Sequence, residues 1–567
     1  MNKQWAMRGG ADHARVNSLA EALHIDPVLS AMLVHRGITT YEEARLFFRP
    51  DLRHLHDPFL MKDMEQAILR IEAAIAAGEK ILIFGDYDVD GTTAVSVVYG
   101  FFKQRYDLLA YYIPDRYREG YGISLQGIDY AVENGFSLII ALDCGIKSVD
   151  KVAYASDRRI DFIICDHHLP GDTLPAAVAV LDPKREDCEY PYKELSGCGI
   201  GFKLVQAYAE KNRIPIEEVT CYLDLVAISI ASDIVHITGE NRVLAHLGMQ
   251  KINSSPCLGV KALMDVAGKS SVYNISDVVF LLGPRINAAG RIDDAKHAVA
   301  LLTGTDDAQA KEKSELINEK NQERKGHDLS ITEEALSIID NDEALINRKS
   351  TVVFSEHWHK GVIGIVASRL TEKYYRPTIV LTRSNGHVAG SARSVLGYDL
   401  YEALCSCSDL LIQFGGHKFA AGLTLAPENV SAFADRFEEV VSATIKPEQL
   451  VQQILIDAEL HLSQIEPKFF RILNMFAPFG PENMAPVFIS KNVYVSGVAS
   501  LVGGTHVKMT VIQKGSPGFE TIAFGHGEYI DQIKKDVPFD ICYTIEENIW
   551  REKRSIQLNI KGMRFRD

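Results

Sequence analysis

Three aspartates, Asp86, Asp88 and Asp90, alternate along GDYDVDG (85–91), directly after the apolar run ILIF. Carboxylates at that spacing repel one another and resist ionising together unless a cation sits among them. Further donors follow other apolar runs: Asp143 after SLIIAL, Asp166, His167 and His168 after DFIIC, and Asp233 after VAISIAS. Divalent metal is the economical cation for such a set. Imidazoles beside several carboxylates suit Mn²⁺ better than Ca²⁺, and Mg²⁺ is admissible because carboxylate oxygens predominate. Two ions about 3.5–4 Å apart, bridged by a shared carboxylate, are the usual device for activating water and stabilising the leaving oxygen in phosphoester hydrolysis. Competing readings are weaker. An EF-hand loop counted from Asp86 puts Val97 where a bidentate glutamate is required, and a phosphate loop ending in AGKSS (267–271) puts Leu263 where its first glycine belongs. Taken singly, Asp143 or Asp182 is more often a turn residue or helix cap than a ligand, and His167–His168 could be a polar turn before Leu169 and Pro170.

The elements that must position these groups are legible in the same runs. ILIF (81–84), LLAYYI (108–113), SLIIAL (137–142), DFIIC (161–165) and AVAVL (177–181) alternate with helical stretches. That pattern predicts a doubly wound parallel sheet, whose functional groups gather beyond the carboxyl ends of the strands. The donors named above are therefore expected to converge. Residues 1–60 read as a helical region in which Thr40 caps EEARLFF, and 61–304 as the lobe carrying the sheet. The mostly polar stretch 305–345 reads as a solvated connecting helix, and a second α/β lobe, 346–450, begins near STVVFSEHWHKG. Beyond it, 451–567 turns strand-rich and suggests a small Greek-key barrel.

At 567 residues the chain has room for three or four domains of about 150 residues each. Its 47% apolar and 24% charged residues are those of a soluble globular protein, and the absence of a signal peptide or of about eighteen consecutive apolar residues predicts a cytoplasmic one with no membrane span. The closest of nine cysteines, Cys405 and Cys407, form no Cys-x-x-Cys pair, so reduced thiols are expected. A formal net charge of −15 excludes a protein that coats DNA with its whole surface. A polyanionic substrate needs a local basic groove, and RYREGYGI (116–123), with Arg116 and Tyr121, mixes cations that pair phosphates with rings that stack bases. GSARS offers Ser391 and Arg393, while GGHKFAAG offers Gly415, Gly416, His417 and Lys418, its glycines letting backbone N–H groups approach phosphate. The tail REKRSIQLNIKGMRFRD carries six Lys or Arg against two acids, 6 − 2 = +4, which fits a strand-following groove or an edge strand kept soluble by charge.

GDYDVDG, ALDCG, CDHH, SGCGIG with FKL, AISIASDIV and GPRINAAGR, in this order, resemble the DHH phosphoesterase superfamily and, within it, the RecJ-type single-strand-specific DNA exonucleases. The resemblance extends through HWHKGVIGIVASRL, GSARS and FGGHKFAAG to the terminal barrel. It implies a DHH lobe, a DHH-associated (DHHA1) lobe and an OB-like barrel that binds nucleic acid. Metal binding would fall to Asp86, Asp88, Asp90, Asp143, His167 and Asp233, with Asp143 bridging two cations. His168 would face the scissile phosphate, Asp166 would orient an imidazole, and Asn287 and Arg291 of GPRINAAGR would join the substrate contacts. One departure is that smaller DHH enzymes open the first motif with a histidine where this chain has acidic or aromatic residues, which puts the share of Asp86 in question. The resemblance further implies degradation of single-stranded DNA from 5′ to 3′ into mononucleotides in recombination and repair, beside single-strand-binding protein and a RecQ-like helicase, and a monomer is expected. Two alternatives stay open: a phosphodiesterase of short oligonucleotides or cyclic dinucleotides, and a non-catalytic nucleic-acid-binding relative.

Overall fold

A computed structural model describes residues 3–292, 294–534, 537–550 and 553–565. It divides into a larger unit, Ala6–Gly290 with Asp294–Asn318 and Leu455–Asp567, and a smaller one built mainly from Glu319–Ile454. Three short helices open the larger unit: α1 (His13–Leu23), α2 (Pro27–His35) and α3 (Tyr41–Phe48), the last capped by Thr40 and Glu43 in a reciprocal box. After α4 (Met64–Ala77) comes the parallel sheet. Its strands are β1 (Lys80–Gly85), β2 (Leu109–Tyr112), β3 (Phe136–Leu142), β4 (Asp161–Cys165) and β5 (Ala179–Leu181), in the order β2-β1-β3-β4-β5.

Every pairing in that sheet is parallel. Alternate residues feed two cores: Ile81, Ile83, Leu138, Ile140 and Ile163 on one face, Leu82, Phe84, Ile139, Phe162 and Ile164 on the other. Burial on both faces is why the strands read as unbroken apolar runs. Helices α5 (Val89–Lys103), α6 (Gly197–Lys211), α7 (Leu223–Ser232) and α8 (Gly239–Ser254) complete the first core. Lys203 lies in it with no exposed surface, its ammonium 2.7 Å from Glu240 and bonded to the His56 carbonyl, while Tyr190 and the His56 amide donate to the same carboxylate. The motif GPRINAAGR forms α9 (Gly283–Ile292).

Asp307–Asp340 is one 34-residue helix, α10. Its polarity, read above as solvation, is partly internal: Ser314, Asn321, Arg324, Asp328 and Thr332 are buried along it, and Arg369 donates to Asp328 at 2.7 Å. The smaller unit adds β6 (Thr351–Ser355), α11 (Ile363–Tyr374), β7 (Thr378–Ser384), β8 (His387–Arg393), β9 (Leu411–His417), β10 (Ala420–Leu425) and α12 (Val430–Thr444). The sheet order is β9-β10-β8-β7-β6, parallel only at β6–β7.

The C-terminal part of the larger unit carries α13 (Pro467–Asn474) and strands β11 (Phe488–Val502), β12 (His506–Ile512), β13 (Phe519–Ala523), β14 (Phe539–Trp550) and β15 (Lys553–Phe565). They pair in the order β11-β12-β13-β15-β14, and β14 returns to β11, so the sheet closes. Only β13–β15 among these pairings is parallel. This is the OB barrel, which removes its edges by closure. Leu19, Leu29, Met32, Leu33 and Ala44 of α1–α3 share one core with Phe488, Val507, Phe539, Tyr543 and Leu558 of the barrel. Of the basic tail, Arg551, Glu552, Arg566 and Asp567 lie outside the described residues. The nine cysteines are all free thiols, six of them buried.

Candidate active site

Strand β1 ends at Gly85, and Asp86 follows with one carboxylate oxygen, Oδ1, accepting from the Gly122 amide at 3.2 Å. Asp88 is the N-cap of α5, accepting from the Gly91 amide. Asp90, in the first turn of α5, accepts from the Gly197 and Cys198 amides at 2.7 and 2.8 Å and from the Ser229 hydroxyl at 2.6 Å. The amino end of α6 thus holds Asp90, as a helix N-terminus favours a carboxylate. Asp143 follows β3 with φ of 59°, a left-handed conformation that aspartate tolerates. A side chain on Gly197 would come within 2.6 Å of Asp143 Oδ1, so only glycine lets α6 approach this closely. Glycine does the same in NAAGR: a Cβ on Gly290 would lie 2.6 Å from the Tyr87 carbonyl.

Beyond β4, Asp166 accepts from His168 Nδ1 at 2.7 Å and from the Ile146 amide at 2.9 Å. His167 points Nε2 into the carboxylates, 3.2 Å from Asp143, 3.6 Å from Asp233 and 3.8 Å from Asp90. Asp233, grouped above with the strand-end donors, instead caps the carboxyl end of helix α7. VAISIAS is apolar because nine of the helix's ten residues are buried, and a short buried helix and a buried strand leave the same trace in sequence.

Burial first, and then the neighbouring carboxylates, push Asp86, Asp143 and Asp233 well above the ordinary carboxylate range and raise Asp88. Burial also lowers His167. Asp166 behaves oppositely: burial pushes it up, but the bond and charge of His168 and the Ile146 amide outweigh burial and hold it at about 2. The same pair carries His168 up to about 9 against its own desolvation.

The donor set fits divalent metal. Asp86 Oδ2, Asp143 Oδ1 and both ring nitrogens of His167 are buried without a hydrogen-bond partner, a costly state for polar atoms unless a ligand completes it. Ligand atoms of Asp90, His167 and Asp233 lie within 4.8 Å of one another, as do those of Asp143, His167 and His168.

Comparison with known proteins decides the family. Residues 80–230 match the DHH family N-terminal domain, 347–443 the DHHA1 domain and 456–562 the RecJ OB domain. A single-stranded-DNA-specific exonuclease RecJ from Bacillus subtilis is 38% identical, over 97% of this chain and 69% of that protein. Its Escherichia coli counterpart is 32% identical, over 95% and 96%. The chain belongs to the RecJ family. A crystal structure of RecJ with Mn²⁺ from Thermus thermophilus superposes with a TM-score of 0.85 at 26% identity, covering all of this chain and 80% of that one. An exonuclease RecJ bound to manganese, 30% identical, superposes at 0.61 over 70% of this chain and 98% of that one. As a member of that family the chain is a phosphodiesterase of the nuclease kind, with a site suited to divalent cations.

The expected substrate residues fall into two groups. In the larger unit, Arg116 lies 4.8 Å over the Tyr87 ring, and the Tyr121 hydroxyl is 3.2 Å from both His168 Nε2 and the Asp143 carbonyl. Asn287, half-buried, sits one helical turn before Gly290 on α9. In the smaller unit, Arg291 donates to the Gly361 carbonyl at 2.9 Å. Ser391 and Arg393 end β8 against the amino end of α11: a Cβ on Gly364 would lie 2.9 Å from Ser391 Oγ and 3.1 Å from Arg393 Nη2. Gly415, Gly416 and His417 are exposed on the edge strand β9, and Lys418 follows in the turn. Sequence reasoning missed Ser196, whose hydroxyl bonds Ser229 behind Asp90, and the α6 and α11 amino ends. Backbone amides carry no side-chain signature; the glycines of SGCGIG and GVIGIV were their one trace.

Proposed function

We propose that this protein is a 5′-to-3′ exonuclease of single-stranded DNA that releases 5′-mononucleotides. The observation that carries the reading is the set of buried, partnerless carboxylate and imidazole atoms at the rim of the parallel sheet. Asp86, Asp88, Asp90, Asp143, His167 and Asp233 would hold two divalent cations, Mn²⁺ in preference to Mg²⁺, with Asp143 shared. Bound there, the cations would supply Lewis-acid stabilisation of the phosphoryl oxygens and ease deprotonation of the attacking water.

The chain's own residues do the rest. Asp166 fixes His168 through Nδ1 and keeps it cationic, so that Nε2 can donate to a phosphoryl oxygen as charge develops on it. In the smaller unit, α11 begins without a side-chain cap beside Ser391 and Arg393, an arrangement that supports recognition of a terminal phosphate. The OB barrel and the relatives described as single-stranded-DNA-specific exonucleases support the substrate. Family membership supports a place in recombination and repair, where single-strand-binding protein and a RecQ-like helicase would be its partners.

Digestion of long oligonucleotides labelled at either end tests this, with Mn²⁺ or with chelator. Expected is immediate release of the 5′ label as mononucleotide, slow shortening behind a 3′ label, little action on duplex and none with chelator. First release of the 3′ label, or preference for dinucleotides over long strands, would overturn it.

A further inference from the structure

Three large exposed side chains adjoin residues of the carboxylate cluster, two of them in sequence and one through a hydrogen bond. Ile234 follows Asp233, Leu169 follows His168, and Tyr121 is tied by its hydroxyl to His168 Nε2. Ile234 is 65% exposed, Leu169 61% and Tyr121 50%. Successive α-carbons are about 3.8 Å apart, so Ile234 and Leu169 begin one residue from the groups that would meet the reacting phosphate.

Ile234 carries a second peculiarity. Its φ is 59°, in the left-handed region that β-branched residues rarely enter. Asparagine or glycine would sit there with less strain, and an exposed isoleucine recovers little of that strain through burial. The end of α7 accounts for the backbone angle, since helices commonly place a left-handed residue just after the cap, but neither that position nor packing accounts for a β-branched residue, and strained residues concentrate where substrate is handled.

Resting on the nuclease reading, we infer that Ile234, next to Asp233, with Leu169 next to His168, is an apolar substrate contact that receives the carbon-rich face of the nucleotide whose phosphate lies at the cluster. The carboxylates and His168 deal with the phosphate alone. A phosphodiester in a strand brings a base and a deoxyribose within a few ångströms of the reacting phosphorus, and alkyl groups there would favour those over bare phosphate or pyrophosphate. The contact is thus a determinant of specificity for nucleotide chains.

Ile234→Asn tests this, because asparagine keeps a similar size, accepts the left-handed conformation and presents a polar surface. In chelator, its melting temperature should equal or exceed that of the unaltered protein. Its affinity for fluorescently labelled oligothymidylate should fall about three- to tenfold, the range worth a lost methyl-scale contact or two. With Mn²⁺, KM should rise by a similar factor while kcat changes little. A strand with an abasic terminal nucleotide separates the two faces. If the base is touched, the unaltered protein loses the same factor on that strand and the variant loses nothing further; if the sugar is touched, the variant is weaker on both strands.

Unchanged metal-free affinity and KM for Ile234→Asn on both strands would overturn the inference. Ile234→Gly, which relieves the strain and removes the side chain entirely, must show the same affinity loss, and its failure to do so would equally overturn it. Failure of the nuclease reading shows elsewhere, as an unaltered protein that leaves single strands intact in Mn²⁺.

Discussion

Asp143→Asn should make the metal-free protein more stable while destroying its use for metal. Asp143 is buried, its Oδ1 has no hydrogen-bond partner, and burial and then Asp90, Asp88 and Asp233 all oppose its charge. Asparagine is isosteric, tolerates φ of 59° and fits the space left by Gly197. Relieving an unsatisfied buried charge is worth about 1–3 kcal/mol or more. For a domain of about 150–250 residues, each kcal/mol moves the melting temperature by roughly 2–4 °C. Calorimetry at pH 8 in chelator should therefore show the variant melting several degrees above the unaltered protein. Saturating Mn²⁺ should invert the order, because a ligand at a hundred times its Kd adds about 2.7 kcal/mol to the form that binds it. The sign with pH follows from the raised pKa: the protonated carboxyl is favoured by folding, so that contribution is present below the ordinary carboxylate value and is lost as pH rises through the raised one. Acidification from pH 8 should close the gap between the two proteins in chelator. A variant less stable than the unaltered protein in chelator, or one stabilised equally by Mn²⁺, would refute the picture of mutually repelling, metal-seeking carboxylates.

Gly197→Ala should weaken Mn²⁺ binding at least tenfold in calorimetric titration while the chain still unfolds cooperatively, because the new methyl lies 2.6 Å from Asp143 Oδ1 and displaces it; unchanged affinity would show that the site yields freely. Lys203→Met should cost about 3–5 kcal/mol in urea unfolding, since it strands the buried Glu240 carboxylate, and Glu240→Gln added to it should recover part of the loss. Asp182, at the end of β5, has one partnerless buried oxygen and is pushed up by burial to about 7. Its contribution to stability is present in acid and lost as pH rises through about 7, so Asp182→Asn should match the unaltered protein at pH 5 in chelator and exceed it at pH 8; parallel pH curves would contradict this.

Much of the catalytic lobe was legible because its sheet is buried on both faces: ILIF, SLIIAL and DFIIC had to be unbroken apolar runs, and Asp86, Asp143 and Asp166 had to stand just beyond them. What holds Asp90 was not legible, since its partners Gly197, Cys198 and Ser229 come from helices more than a hundred residues away and two of them act through the backbone. Asp233 illustrates a second limit, that a helix with nine of its ten residues buried has no exposed polar face to reveal its period. The long helix α10 misled in the opposite sense: Asn321, Arg324 and Asp328 look solvated in sequence but are buried. The barrel's strands could be anticipated, yet the closure of β14 onto β11 and the core shared with α1–α3 are contacts between distant segments that no local pattern encodes. Ile234 stood out only once its backbone angle was known.

An anomalous difference map at the manganese edge, from crystals grown with Mn²⁺, probes the carboxylate cluster most directly. The account predicts two maxima enclosed by Asp86, Asp88, Asp90, Asp143, His167 and Asp233, lost in Asp143→Asn crystals. Manganese bound elsewhere, with these side chains left uncoordinated, would contradict it.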